Sequence, residues 1–145
     1  MSNTDTPYAV QSSNTISIFQ LTDIHLDLDY QLGADIKCSE PLCCRDSHLE
    51  GNESAGKWGS YPCDIPLQTV DSVLNDIANN SMNIDMWYWT GDIVAHDIWQ
   101  YSRTKNIRHS QLITDLFRKY SGDKPVIPVI GNHETVPVNW CVLAL

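Results

Sequence analysis

Three short strings gather the side chains of this sequence that suit metal chemistry: Asp23-Ile24-His25, Gly91-Asp92 and Gly131-Asn132-His133-Glu134. Together they offer carboxylates, imidazoles and an amide oxygen, donors that a pair of divalent metal ions would accept. Each string follows an apolar run of β character, and open α/β sheets gather their ligands beyond the carboxyl ends of strands. That combination points to phosphoester hydrolysis. Asp23 and His25 lie two apart, and in extended backbone such side chains point the same way and can grip one ion. Asp92 has two oxygens to share, which suits a place between two ions; a turn aspartate bonded to its own backbone is the plain alternative. Asn132 adds a neutral oxygen for the second ion. His96 could reach a leaving group or a substrate phosphate, or simply lie at the surface. His133 could donate a proton or bind charge developing on phosphorus. Glu134 suits an outer position that orients a ligand.

These strings need a scaffold, and the flanking patterns supply one. Ile16-Ser17-Ile18-Phe19-Gln20-Leu21 alternates apolar and polar residues over most of its length and reads as a first strand. Met86-Trp87-Tyr88-Trp89-Thr90 reads as a second, and Val126-Ile127-Pro128-Val129-Ile130 as a third. Pro128 argues against a central place for the third, because proline gives no N–H to the ladder. Between them, Leu67, Val70, Leu74, Ile77 and Ala78 fall on one face of a helix opened by Pro66. A second helix is predicted over about 104–120, with Ile113, Leu116, Phe117 and Tyr120 as its stripe and Gly122 and Pro125 closing it. The alternation of strands and helices predicts a parallel sheet with right-handed crossovers. From about Asp27 to Pro66 the periodicity fades, and the stretch reads as one long loop.

The cysteines bear on that loop. Cys38, Cys43, Cys44 and Cys63 cluster within it, and Cys141 stands apart. Four cysteines allow three pairings, and the adjacent Cys43–Cys44 is a poor bridge. Cys38–Cys43 with Cys44–Cys63 is preferred, with a zinc knot using these thiols and His48 as the alternative. Disulfides imply an oxidising compartment. The sequons Asn52-Glu53-Ser54 and Asn79-Asn80-Ser81 agree with that, so secretion or lysosomal delivery is expected. At 145 residues the chain has the length of one ordinary domain. Its net charge of -9 argues against nucleic-acid binding and against a polybasic membrane anchor. No apolar run approaches the roughly 20 residues of a membrane-spanning helix. Residues 1–15 read as a disordered leader without the character of a secretory signal, compatible with a cut inside a longer precursor.

The three strings resemble the first three motifs of the calcineurin-like metallophosphoesterases. The surrounding words are similar to acid sphingomyelinase and its phosphodiesterase-like relatives: Glu40-Pro41-Leu42-Cys43-Cys44-Arg45, Trp58-Gly59, Tyr61 with Cys63-Asp64-Ile65-Pro66-Leu67, Tyr88 through Asp97, and Gly131 through Asn139. The resemblance covers roughly Ser17 to Asn139. It implies a four-layer α/β/β/α sandwich, of which this chain carries a truncated form with mainly parallel strands and a disulfide-stapled loop. It implies two Zn2+ ions, with Asp23 and His25 on the first, Asp92 between both and Asn132 on the second. His96 and His133 then serve phosphate contact and leaving-group protonation, and the cysteines pair as preferred. The implied reaction is hydrolysis of sphingomyelin to ceramide and phosphocholine, in lysosomes or outside cells, with peripheral contact to a lipid surface. A nucleotide or other phosphodiester is the alternative substrate, and a non-catalytic fragment or a small disulfide-rich binding module the alternative role. Family members continue with further metal-binding histidines, whereas this chain runs Trp140-Cys141-Val142-Leu143-Ala144-Leu145. Residues 16–139 are therefore expected to form a partial catalytic domain, residues 140–145 an atypical apolar tail, and the second metal site to be incomplete.

Overall fold

The computed structural model describes residues 15–45, 53–80 and 83–140. The expected leader up to residue 14, His48, Asn52, and Cys141 with the rest of the apolar tail lie outside the described residues. In chain order the elements are β1 (Ile18–Leu21), β2 (Leu26–Asp27), β3 (Ile65–Pro66), α1 (Leu67–Asn80), β4 (Met86–Trp89), a 3-10 turn (Ile98–Gln100), α2 (Arg103–Ser121) and β5 (Val126–Pro128). The fold is mixed α/β with parallel strands. The main sheet has the order β1-β4-β5, and both pairings are parallel. Among the described residues β5 pairs with β4 alone, so it lies at an edge. Val129 N–H donates to Trp89 O at 2.7 Å. Donors along a strand alternate sides, so the nitrogen of Pro128 faces away from β4 and the ladder loses nothing.

Register sorts the sheet into two faces. Phe19, Trp87 and Val126 share one level and one face. That face receives both helices: Val70 and Leu74 from α1, and Ile113 and Phe117 from α2, pack with Trp87 and Trp89 in one buried cluster. Phe117 stacks on Trp89, with ring centroids 5.8 Å apart, and meets Trp87 edge-on at 6.0 Å. The opposite face carries Ile18 and Ile127, both exposed, beside half-buried Met86 and Tyr88.

Helix α2 begins at Ser102, whose side chain accepts from the Lys105 N–H, and ends at Gly122, which has a positive φ of 58°. Its buried stripe reaches further than the apolar pattern indicated, adding Asn106, His109 and Ser121. Helix α1 buries Val70 and Leu74; Leu67 and Ala78 flank that face and are exposed. Pro66 closes β3 instead of opening the helix, a difference of one residue.

The stretch expected to be a single loop holds more order than its composition suggested. β2 pairs β3 in parallel, Leu26 also bridges Val94, and single bridges join Tyr30 to Arg45 and Asp35 to Ser54. Disulfides link Cys38 to Cys43 and Cys44 to Cys63. Ala34, Cys44 and Ala55 form a small core of their own beneath Tyr30, Ile36 and Cys63. Pairings only one or two residues long leave no alternation for a sequence pattern to register.

Two predictions follow from this packing. Phe117→Ala should cost about 3–5 kcal/mol, as expected for deletion of a buried aromatic ring, while Leu67→Ala at the rim of α1 costs far less; urea denaturation of both variants measures the contrast. His109 is buried, its Nδ1 lies 2.9 Å from the Lys105 carbonyl, and burial holds its pKa below the ordinary 6.5. The unfolded chain therefore binds a proton that the folded chain refuses, so stability contributed by His109 is full above that ordinary value and falls as pH drops through the lower folded value. The urea midpoint should decline in mild acid, and His109→Gln should flatten the decline.

Candidate metal centre

The strand ends are tied together by backbone. Asp23 N–H donates to Gly91 O (3.2 Å), His25 N–H to Asp92 O (3.1 Å) and Leu26 N–H to Ile93 O (2.7 Å). Asp23, His25 and Asp92 all take positive φ, at 52°, 41° and 54°. Such backbone is sparsely populated for residues with a Cβ and persists where the surroundings impose it. Strand alternation is thus not what aligns Asp23 with His25, since the chain has left extended geometry by then. Their side chains nevertheless meet, with Asp23 Oδ1 3.8 Å from His25 Nε2.

The third string reaches the same place through two glycines. A Cβ on Gly91 would lie 2.2 Å from Gly131 N, and one on Gly131 would lie 2.4 Å from Asp92 Oδ1. Backbone meets backbone here, and Gly91 also takes a φ of 93° that a side chain disfavours. Glu134 stitches the contact: Oε2 accepts from Asp92 N (2.8 Å) and Gly131 N (2.6 Å), and Oε1 from Ile93 N (2.7 Å). Its carboxylate is committed to backbone donors, in keeping with the outer position read from the sequence. Asn106 on α2 braces the same loop by donating to the carbonyls of His133 and Glu134, both at 3.1 Å.

Asn132 and Asp92 provide a test of whether the site suits a cation. The Asn132 amide meets the Asn139 amide at 2.8 Å and lies against the Asp92 carboxylate. That amide position is 2.9 Å from Asp92 Oδ2 and 3.2 Å from Oδ1. Asp92 Oδ1 also accepts the backbone N–H of His133 at 2.8 Å. Carboxylate and amide groups here, with the Asp23 carboxylate and His25 Nε2 beside them, make a donor set that divalent cations accept.

Three imidazoles stand beside these oxygens. One ring nitrogen from each of His25, His96 and His133 lies within 4.8 Å of the others. His25 and His96 stack at 3.9 Å between centroids, and His133 meets each edge-on at 4.8 and 4.9 Å. In every case Nδ1 is engaged by the protein. His25 Nδ1 lies 3.0 Å from Val94 O, His96 Nδ1 2.7 Å from Asp64 Oδ1, and His133 Nδ1 2.7 Å from Tyr101 Oη. Tyr101 donates its own proton to Ala95 O at 2.7 Å, so it accepts from His133. Burial, with Asp97 and neighbouring carboxylates, pushes the Tyr101 phenol well above its ordinary range and keeps that proton in place. Burial first, then the two neighbouring imidazoles, lower the pKa of His133. All three rings therefore leave Nε2 free, as a lone pair when neutral or a donor when protonated.

Asp23, His25, Asp92, Asn132, His96 and His133 are thus joined through direct contacts into one cluster. The sequon residue Asn79 lies apart from it, exposed on the last turn of α1 with Nδ2 donating to Asn75 O at 2.7 Å. Asp64, Tyr101 and Asn106 were not singled out by sequence. Asp64 stood inside the string Cys63-Asp64-Ile65-Pro66-Leu67 with no role attached, and Asn106 left a trace as a polar residue in line with the buried stripe of α2. Glu134→Ala removes one acceptor from each of three N–H groups. Amide exchange at Asp92, Ile93 and Gly131 should accelerate by about tenfold or more, the equivalent of roughly 1.4 kcal/mol, while the centre of α2 exchanges as before; equal protection in the variant would remove Glu134 from this role.

Known proteins extend the picture. The family described as calcineurin-like phosphoesterase matches residues 16–142. Sphingomyelin phosphodiesterase of Homo sapiens is 47% identical over 126 residues, 84% of this chain and 20% of that protein. The Bos taurus protein of the same name is 49% identical over 82% of this chain and 20% of its own length. Sphingomyelin phosphodiesterase B of Dictyostelium discoideum is 43% identical over 88% of this chain and 21% of its own. The chain spans about a fifth of the length of the curated relatives it matches. With 16–142 of 145 residues matched, and all three strand-end strings inside that span, this chain belongs to the calcineurin-like phosphoesterase family.

Proposed function

We propose that residues 16–139 form part of the catalytic domain of a phosphodiesterase that uses two Zn2+ ions to hydrolyse sphingomyelin to ceramide and phosphocholine. The observation that carries the metal reading is the convergence of Asp23, His25, Asp92 and Asn132 beyond the strand ends, with Asp23 Oδ1 3.8 Å from His25 Nε2 and the Asn132 amide 2.9 Å from Asp92 Oδ2. The identity to proteins named sphingomyelin phosphodiesterase supports the substrate. Asp23 and His25 would hold one ion, Asn132 the other, and Asp92 both. When bound, such a pair supplies Lewis acidity toward a phosphodiester and a nucleophile from water at neutral pH.

The chain's own residues do the rest. Val94 O fixes His25 with its proton on Nδ1, which leaves Nε2 as a donor atom for an ion. His96 and His133 present their free Nε2 atoms beside that position, where they can contact a phosphate oxygen or hand a proton to the leaving alkoxide. The backbone bonds among residues 23–26 and 91–93 hold the donors in place without help from substrate.

Exposed aromatics support contact with a lipid surface. Trp58 is 57% exposed, Tyr61 is wholly exposed, and Lys57 Nζ sits 4.8 Å from the Trp58 ring. Amphipathic rings beside a cation suit the boundary between water and lipid headgroups. The two disulfides support a secreted or lysosomal protein, with Asn52 and Asn79 as its glycosylation positions, Asn79 being exposed.

The three converging imidazoles favour a second reading, in which one ion sits among His25, His96 and His133. Zinc analysis of variants separates the two. Under the two-ion reading, His96→Ala and His133→Ala keep the zinc content and lower turnover by about 10²–10⁴, whereas Asp92→Asn loses metal. If either histidine variant sheds the ion, the three-imidazole site is the true one. Among the described residues Asp23, His25 and Asp92 give one position three protein ligands and Asp92 and Asn132 give the other two, so the first position is expected to hold its ion more tightly. Zinc-loaded protein should release phosphocholine from sphingomyelin in preference to cleaving a nucleotide diester. Cleavage of the nucleotide alone would overturn the substrate, and cleavage of neither the catalytic role.

A further inference from the structure

The loop between β2 and β3 grips the segment that carries His96 from two sides. On one side stands Arg45, next to Cys44. Its Nε and Nη2 donate to the two oxygens of Asp27, both at 3.0 Å, and Nη2 also donates to Asp97 Oδ2 at 2.9 Å. Asp27 and Asp97 are buried, and Lys105 of α2 reaches the same Asp97 oxygen. On the other side stands Asp64, next to Cys63. Its Oδ2 accepts the backbone N–H of His96 at 2.6 Å, and its Oδ1 faces His96 Nδ1 at 2.7 Å. The Cys44–Cys63 bridge joins the two arms of this grip.

The two partners differ in how firmly they are held. The His96 side chain is 52% exposed, so packing alone does not fix its ring. The Asp64 side chain is 10% exposed and its backbone is anchored at the adjoining disulfide and at β3. Orientation therefore passes from Asp64 to His96.

We propose that Asp64 is the positioning residue for His96, setting both the direction of the ring and which nitrogen carries the proton. The proposal rests on the reading of His96 as a group that faces substrate. An ionised carboxylate has no proton to give, so neutral His96 holds its proton on Nδ1 and keeps Nε2 open beside His25 and His133. The second oxygen of Asp64 serves the backbone N–H, so both oxygens are committed. Asparagine at this position offers one oxygen and one NH2. If the oxygen stays with the backbone N–H, the NH2 meets the ring, Nδ1 must accept, and the ring proton moves to Nε2. A near-isosteric change thus reverses the tautomer, which a residue serving stability alone would not do.

The test reads ring-nitrogen shifts in ¹⁵N-labelled, metal-free protein at alkaline pH, where long-range ¹H–¹⁵N spectra separate the two neutral tautomers. His96 is expected to be mainly Nδ1–H in the native sequence and mainly Nε2–H in Asp64→Asn. His109, whose Nδ1 sits against the Lys105 carbonyl at 2.9 Å, should stay Nδ1–H in both and reports that the fold is intact. A native His96 that is mainly Nε2–H overturns the proposal without any variant, so the test stands even if Asp64→Asn fails to fold. An unchanged tautomer in a folded Asp64→Asn protein overturns it equally. Because the readout needs neither metal nor substrate, its failure is separate from failure of the phosphodiesterase reading, which the zinc and turnover assays decide.

Discussion

The geometry at the strand ends depends on one close approach, the contact of Gly91 with Gly131. No other residue type fits: a methyl group at either position would overlap backbone or the Asp92 carboxylate. Once the two loops touch, a single carboxylate can serve both. Glu134 accepts from Gly131 on its own loop and from Asp92 and Ile93 on the neighbouring one. Charge-assisted bonds to backbone N–H groups are roughly twice as strong as neutral ones, and the arrangement leaves no donor stranded. The positive φ values at Asp23, His25 and Asp92 are held by this lattice of backbone bonds. A side chain at Gly91 or Gly131 would part Asp92 from Asn132 before it altered any donor atom.

The three imidazoles show how one residue type acquires different characters from what stands behind it. A carbonyl behind His25 fixes the tautomer and adds no charge, which suits a nitrogen that gives its lone pair to a cation. A carboxylate behind His96 faces Nδ1 with one oxygen and takes the backbone N–H with the other. A phenol behind His133, its own proton given to Ala95 O, supplies an acceptor without charge. The rings sit within 5 Å of one another, where like charges oppose one another strongly. Carbonyl, carboxylate and phenol thus each turn one ring from behind.

Much of the scaffold was legible in the sequence because it rests on periodicity. The main strands and both helices lie within one or two residues of their patterns, and Pro128 announced an edge. The site was legible as residue types at strand ends, and those residues do converge. The route was misread for Asp23 and His25: alternation was the argument, yet backbone with positive φ is what brings them together. What the sequence hid are the partners. Asp64 lies 32 residues from His96, and Tyr101 the same distance from His133. Neither interval has a periodic signature, because each is set by where a loop lands and not by the repeat of an element. The bridges within the loop were invisible for a related reason, since β2 and β3 each span two residues.

The buried charges around Arg45 complete this logic. Asp27 and Asp97 are almost wholly removed from water, and Arg45 and Lys105 answer them charge for charge. Such networks seldom add net stability, since desolvation offsets most of the attraction. Asp97 Oδ1 even lacks a protein partner among the described residues, which marks the arrangement as far from the most stable one. What the network does supply is direction. The planar guanidinium can satisfy Asp27 and Asp97 together only at one spacing and one tilt. Asp27 follows His25 by two residues and Asp97 follows His96 by one, so fixing the carboxylates fixes the stacked rings beside them. An apolar trio of similar volume would pack as well and tolerate sliding. The ionic arrangement resists sliding, because any shift leaves a charge unpaired in a place that water does not reach.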